Sequence, residues 1–273
     1  MKQQQINEYC ERVGLKALPE PNLKGLFELH RAQFFTIPFE NLDIQLGREI
    51  SLEPNELFEK LVLKKRGGYC FELNSLMKMV LESSGYHVKP LLARVHLSDP
   101  PSGLTHLINL VTMDNEPWIM DVGFGAGGPR QPLKLRAGET ESTAGSSYRL
   151  GRQAPWGWLF RTKDTGEWKD SYSFGLHHVT RQDLEVGNFY TSHSPNSHFT
   201  TSRVVSLPTT RGRMSLRNFE LTKIDGQTVE KSIVAEGQPY LDVLESQFNL
   251  KIEVGSDGFR PLDRLPQSET DEL

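Results

Sequence analysis

The sequence is poor in cysteine and has no long hydrophobic run, and each shortage excludes a class of protein. Cys10 and Cys70 are the only cysteines in 273 residues, so at most one disulfide could form and a four-cysteine zinc site could not. His-Glu-x-x-His does not occur. The adjacent pair His177-His178 reads as strand, where neighbours project to opposite faces, so no metal site is expected. No window approaches the ~18 consecutive apolar residues of a membrane span, and the polar start MKQQQINEYCERVG lacks a signal peptide's apolar stretch. These absences predict a cytoplasmic protein with reduced thiols and no membrane partner. An excess of positive charge is missing too. Lys+Arg number 31 against 35 Asp+Glu, a formal net charge of −4, which argues against a nucleic-acid partner. What is there, 37% hydrophobic residues including 14 Phe, suffices for a sizeable core.

The first 85 residues carry helical periodicity, with apolar positions at i, i+3, i+4 and i+7. Ile6, Tyr9, Cys10 and Val13 form one such face, ending at Gly14; Leu23, Leu26, Phe27, His30 and Phe34 form a second, with Asn22 as N-cap and Pro38 as stop. Pro54 suits the first turn of a third helix bearing Leu57, Phe58 and Leu61, and a fourth carries Leu73, Leu76, Met77, Val80 and Leu81 before Gly85. From about residue 87 the period becomes two. Val88 to Leu97, Thr105 to Met113 and Trp118 to Val122 read as strands, and Asp164-Thr165-Gly166 as a hairpin turn between two more. Beyond Thr180 the pattern is mixed: Thr180-x-x-Asp183 resembles a capping box, Asp225-Gly226 signals a hairpin, and Pro239 opens a helix with Tyr240, Val243, Leu244 and Phe248. The tail from about Gly255 is polar and reads as loose. The predicted class is α+β.

Cys70 is the most informative residue. It follows Gly67-Gly68 and falls in the first turn of the fourth helix, where free N–H groups and the positive dipole end favour a thiolate, and Lys64, Lys65 and Arg66 lie just upstream. The plainer alternative is a small buried hydrophobe, which is the reading for Cys10. A nucleophilic cysteine needs a base, and the base needs an orienting group. His106 and Asp121 meet that need from two strands joined at Asp114-Asn115, the plainer alternative being a satisfied histidine and an end-of-strand aspartate. A two-residue loop there pairs Met113 with Glu116, and counting outward sets Asp121 opposite Ile108. His106 is then the diagonal neighbour of Asp121, at roughly 7–8 Å between backbones, a gap side chains close.

Gly123-Phe124-Gly125-Ala126-Gly127-Gly128 satisfies the dinucleotide fingerprint formally, but Pro129 and Pro132 stand where its helix would begin and no βαβ rhythm precedes it. Two readings remain, a wall that lets a ligand approach the backbone or a plain turn. Arg203, Arg211, Arg213 and Arg217 cluster within fifteen positions, either as a solvated face or as a local anion site.

Three segments carry a resemblance. Ile37-Pro38-Phe39-Glu40-Asn41-Leu42, Arg66-Gly67-Gly68-Tyr69-Cys70-Phe71-Glu72-Leu73-Asn74 and Asp121-Val122-Gly123-Phe124-Gly125 resemble the arylamine N-acetyltransferases, as do Ser194 to Phe199 and Arg211-Gly212-Arg213. The likeness implies an N-terminal helical bundle over 1–85 with the nucleophilic cysteine, a central β-barrel over 86–190 with the His and Asp, and a C-terminal α/β lid over 191–273. It also implies a cysteine-protease-like (transglutaminase-like) catalytic core. Cys70, His106 and Asp121 match the family's triad positions. Phe39, Val95, Gly123, Phe124, Gly125 and Phe199 match places that line the substrate and CoA pocket. Glu40 and Arg66 match bracing positions. Leu107 stands where the family usually has a basic residue, and segment 98–104 is short, both on the acceptor side. The implied activity is that of an acyltransferase of xenobiotic metabolism, with acetyl-CoA as co-substrate, no metal, and arylamines, hydrazines or N-hydroxyarylamines as acceptors.

Overall fold

Helices come first because the apolar stripes found in the sequence need a common face to bury. In the computed structural model, which describes residues 1–138, 140–143, 146–163, 166–253 and 258–262, α1 (Gln3–Val13) ends at Gly14 with φ of 75°. Helix α2 (Leu23–Phe34) begins at Asn22, whose side chain accepts the Gly25 N–H at 2.9 Å. Short pieces follow: β1 (Phe39–Glu40), α3 (Leu42–Gln45) and α4 (Pro54–Phe58), with Pro54 in the first turn as expected. The third helix does not continue as an α-helix. Its second half, Glu59–Leu63, widens into a π-helical turn. Then α5 (Cys70–Ser83) buries Phe71, Leu73, Leu76, Met77, Val80 and Leu81 against Tyr9, Leu26, Leu29 and Leu61. Each such fully buried side chain contributes about 1.5–3 kcal/mol.

The sheet region opens with β2 (His87–Val95), β3 (Leu104–Met113) and β4 (Glu116–Met120). Asp114 and Asn115 both have positive φ, 51° and 60°, as a two-residue hairpin turn of this hand requires. Met113 pairs with Glu116 and Asn109 with Met120, the register anticipated from loop length. Strand β4 stops at Met120, two residues short of the expected Val122. The backbone there is diverted: the Asp121 carbonyl faces His30, and the Val122 N–H goes to the Asn74 side chain. Strands β5 (Leu133–Lys134), β6 (Thr140–Thr143), β7 (Ser146–Gln153), β8 (Gly157–Lys163) and β9 (Lys169–Phe174) complete an antiparallel sheet of order β5-β4-β3-β2-β9-β8-β7-β6. Just past β5, Ala137 bridges to Leu150 of β7, so the sheet curls into a nearly closed, barrel-like wall. The Asp164-Thr165 part of the expected turn lies outside the described residues. His177-His178 are not in a strand, contrary to expectation, because β9 ends at Phe174 and the chain leaves the sheet at Gly175.

Thr180 caps α6 (Arg181–His193) as the capping box foretold, and α7 (His198–Thr201) follows. A second antiparallel sheet, β1-β10-β11-β12-β13, is built from β10 (Val204–Pro208), β11 (Gly212–Arg217), β12 (Glu220–Asp225) and β13 (Thr228–Ile233), with Gly226 turning the last hairpin at φ of 60°. Helix α8 (Gln238–Phe248) covers it with Tyr240, Leu244 and Phe248. The expected loose tail needs correction. Phe259 is buried against Tyr240, while 254–257 and 263–273 lie outside the described residues.

Candidate active site

Cys70 is the first residue of α5 and is almost fully buried, its Sγ 3.7 Å from the Thr105 carbonyl oxygen. The loop before it is locked to β1: Glu40 N–H donates to Gly68 O at 2.9 Å, and Arg66 forks around Glu40 Oε1 at 2.7 and 3.1 Å. Gly67 has no room for a side chain, since a Cβ there would meet the Pro38 oxygen. Glu40 and Arg66 thus stand in the bracing positions anticipated for them.

His106, on β3, points from the sheet toward α5. Its Nε2 lies 2.9 Å from Asp121 Oδ2, which leaves Nδ1 for Cys70, the other group that acts on the ring. Burial alone would lower the basicity of His106. The Asp121 carboxylate and the Cys70 sulfur outweigh it and raise the pKa to about 10. Asp121 is fully buried, which opposes its charge, yet His106, the Asn74 amide and the Gly123 N–H hold its pKa below the usual carboxylate value. Asn74 Nδ2 and Gly123 N–H each donate to Asp121 Oδ1 at 2.9 Å. Cys70, His106 and Asp121 therefore converge, His106 and Asp121 as the strand register anticipated.

The pocket candidates fall into two groups. Phe124 stands edge-on to His106 at 5.0 Å and to Tyr172 at 5.1 Å, and Val95 pairs with Tyr172 across β2 and β9. Gly123 passes so close to Cys70 that a Cβ would sit 2.9 Å from its Cα. Phe39 and Phe199 form the other group, 5.8 Å apart, with Tyr69 also against Phe199 and Gly125 against Phe39. Gly125 has φ of 70°, and Gly125–Gly127 is a single 3-10 turn rather than the start of a nucleotide-binding helix. Asn41 and Gln45 side chains both donate to the Phe199 carbonyl at 2.7 Å, fixing the loop that carries it.

Three residues at this site had not been singled out. Asn74 lies one turn after Cys70 and on the same helix face, a spacing visible in the sequence. His30 places Nε2 3.2 Å from the Asp121 carbonyl oxygen. Tyr172 is buried beside His106, with its pKa pushed up by burial and by Asp121. The arginine cluster, by contrast, disperses. Arg203 is enclosed by Phe219, Tyr240 and Phe259, and Arg211 pairs with Asp225 at the far hairpin. Arg213 is half-buried and Arg217 exposed.

A family model described as N-acetyltransferase matches residues 22–256. The chain is 37% identical over 259 residues to the arylamine N-acetyltransferase / N-hydroxyarylamine O-acetyltransferase of Salmonella typhimurium, covering 93% of this chain and 92% of that protein. It is 36% identical to the arylamine N-acetyltransferase of Escherichia coli with the same coverage. Among solved structures, the Salmonella typhimurium enzyme superposes with a TM-score of 0.87 at 36% identity over 92% of both chains. The Mycobacterium marinum enzyme in complex with CoA superposes at 0.84 and 32% identity, over 90% of this chain and 92% of that one.

Proposed function

The chain belongs to the arylamine N-acetyltransferase family, and from that premise we propose that it moves acetyl groups from acetyl-CoA to arylamines, hydrazines and N-hydroxyarylamines through an acetyl-Cys70 intermediate. The observation that carries this reading is the His106–Asp121 contact of 2.9 Å beside a cysteine at a helix start. The Cys70 thiolate attacks the acetyl carbonyl carbon, the thioester C–S bond of acetyl-CoA breaks, and His106 gives its proton to the departing CoA sulfur. In the second half, the acceptor nitrogen attacks the acetyl-Cys70 carbonyl, the Cys–acetyl bond breaks, and His106 takes the amine proton. The thiolate–imidazolium pair is thereby restored. Asp121 holds the His106 tautomer and stabilises the imidazolium. Free N–H groups at the start of α5 are the natural oxyanion donors.

The division at 85 and 190 into bundle, barrel and lid is part of the same reading, as is the cysteine-protease-like (transglutaminase-like) core. Each segment supplies most of one apolar cluster, but Leu92, Leu107 and Met120 of the sheet join the helical cluster, Leu42 joins the C-terminal one, and α6 runs across residue 190. Phe39, Val95, Gly123, Phe124, Gly125 and Phe199 are proposed to line the pocket.

Arylamines are weak nucleophiles because the nitrogen lone pair delocalises into the ring, so a thioester formed first divides one hard transfer into two easier steps. Incubation with acetyl-CoA and no amine should release CoA in a burst and leave an acetyl mass on the Cys70 peptide. An added arylamine should then discharge it, and double-reciprocal plots should be parallel. Intersecting lines with no acetyl-peptide after rapid quenching would exclude the covalent route. A burst seen only with other acyl donors would indicate a cysteine hydrolase.

A further inference from the structure

Behind Cys70 lies an ionic cluster that the transfer chemistry does not call on. Its carboxylates are Glu40, Asp43 and Glu72, and its cations Arg48, Lys60 and Arg66. Lys60 is the hub, with Nζ 2.7 Å from Asp43 Oδ2 and 2.7 Å from Glu72 Oε1. Glu72 is two residues after Cys70, and its other oxygen, Oε2, accepts the Tyr69 N–H at 3.1 Å. The same carboxylate fills the space where Gly68 would carry a side chain. One lysine therefore grips, through one carboxylate, the backbone that presents Cys70.

The local backbone is what brings Lys60 there. The π-helical turn Glu59–Leu63 carries it, and the Arg66 N–H closes back on the Lys60 carbonyl at 3.0 Å. Single π turns inside helices recur at functional sites. Burial alone would lower the basicity of Lys60, but Glu72, Glu40 and Asp43 outweigh it and keep the amine charged. Three carboxylates then face three cations. Without Lys60 the cluster carries a surplus negative charge beside the nucleophile, where burial limits screening by water.

We propose that Lys60 is a positioning residue for the nucleophile: acting through Glu72, it holds the Tyr69–Cys70 backbone and cancels the buried negative charge next to Cys70. The inference rests on the role proposed for Cys70. The charged and titratable groups facing Lys60 and Glu72 are Asp43 from α3, Glu40 from β1, and Arg66 and Arg48 from the loops. Those facing Cys70 are Tyr69 and, from β3, His106 with Asp121 behind it.

The test is the pH profile of iodoacetamide alkylation at Cys70, read by peptide mass spectrometry on the full chain with Cys10 as internal reference. Wild type is compared with Lys60→Met, Glu72→Gln and the double variant. Lys60→Met should move the midpoint up by about one pH unit, a roughly tenfold slower reaction on the acid side. Glu72→Gln leaves a surplus positive charge and should move it down, and the double variant should return close to wild type. A Lys60→Met profile that coincides with wild type overturns the proposal, as does a uniform slowing at every pH with no change of midpoint. If Lys60→Met does not fold, Glu72→Gln decides alone, and an unmoved or raised midpoint overturns it. A wild-type Cys70 no faster than Cys10 overturns the nucleophile reading, and this inference falls with it.

Discussion

Asn74 and Asp121 are joined by a 2.9 Å hydrogen bond from the Asn74 amide to the carboxylate oxygen that His106 does not use. The same Asn74 Nδ2 donates to Leu107 O at 2.6 Å, and its Oδ1 accepts the Val122 N–H at 3.0 Å. One side chain on the nucleophile's helix thus ties the strand bearing His106 to the segment just past β4 that bears Asp121. Asn74→Ala should cost about 2–3 kcal/mol, because it leaves buried partners unpaired. It should also slow acetyl transfer by roughly tenfold, since Asp121 loses one of its donors. Asp121→Asn should do far more damage to rate than to fold, on the order of 10⁴, because the amide favours the wrong His106 tautomer. Urea denaturation and steady-state kinetics on both variants separate the two effects. A folded Asp121→Asn enzyme with wild-type turnover would contradict the assignment.

A pH dependence follows from His30, which is fully buried with its ring 5.5 Å from that of Phe34. Burial lowers its pKa from 6.5 to about 4, against the pull of the Asp121 charge and its carbonyl. Between those values the unfolded chain binds a proton that the folded chain refuses. Stability therefore falls as pH drops from about 6.5 toward 4, by at most about 3 kcal/mol from this group. His30→Gln keeps a donor for the Asp121 carbonyl and removes the titration. It should lose less stability than wild type between about pH 7 and pH 4.5, as measured by denaturant midpoints. Equal losses would show that His30 is protonated in the fold.

Much of this arrangement was legible from local pattern. Asp114-Asn115 fixed a turn type, the turn fixed a register, and the register set His106 beside Asp121. The Cys70 helix start was visible from the two glycines and the apolar stripe behind it. What stayed hidden depends on contacts between distant segments. His30 reads as one more position on an apolar helix face, and nothing in its spacing signals a strand end 91 residues away. Tyr172 alternates with Ser171 and Ser173 as in any strand with one apolar face, so its spacing marks a core position and not a place beside His106. The two readings of the arginines stayed open for the same reason, since closeness in sequence says nothing of which rings enclose Arg203.

Arg203 is the case in point. It is 1% exposed, its guanidinium lies 4.7 Å from the centre of the Phe259 ring, and it donates to the Arg260 carbonyl at 3.0 Å. Its role is to hold the second sheet, α8 and the Phe259 segment together. Arg203→Ala should lower stability by about 2–4 kcal/mol through lost packing and cation–π contact. The Michaelis constant for acetyl-CoA should stay unchanged in the folded fraction. A stable variant with a raised constant would restore the anion-site reading for this residue.

The approach of Gly123 to Cys70 gives the sharpest steric test. A Cβ on Gly123 would sit 2.5 Å from Asn74 Nδ2, 2.9 Å from Cys70 Cα and 3.1 Å from Cys70 O. Two of those three atoms are backbone at the start of α5, which cannot yield without moving the nucleophile. Gly123→Ala must therefore push Cys70 from His106 or break the Asn74–Asp121 bond, and either displaces the reacting atoms. Shifts of about 1 Å in such positioning cost on the order of a hundredfold in rate. The same loop supplies the control. A Cβ on Gly127 meets nothing within 4 Å, and Gly127 does not adopt positive φ. Gly127→Ala should thus leave stability and turnover close to wild type. Thermal unfolding and the rate of CoA release from acetyl-CoA, measured on both variants, read the two outcomes. If Gly123→Ala and Gly127→Ala behave alike, the close approach of Gly123 to Cys70 is not what builds this site.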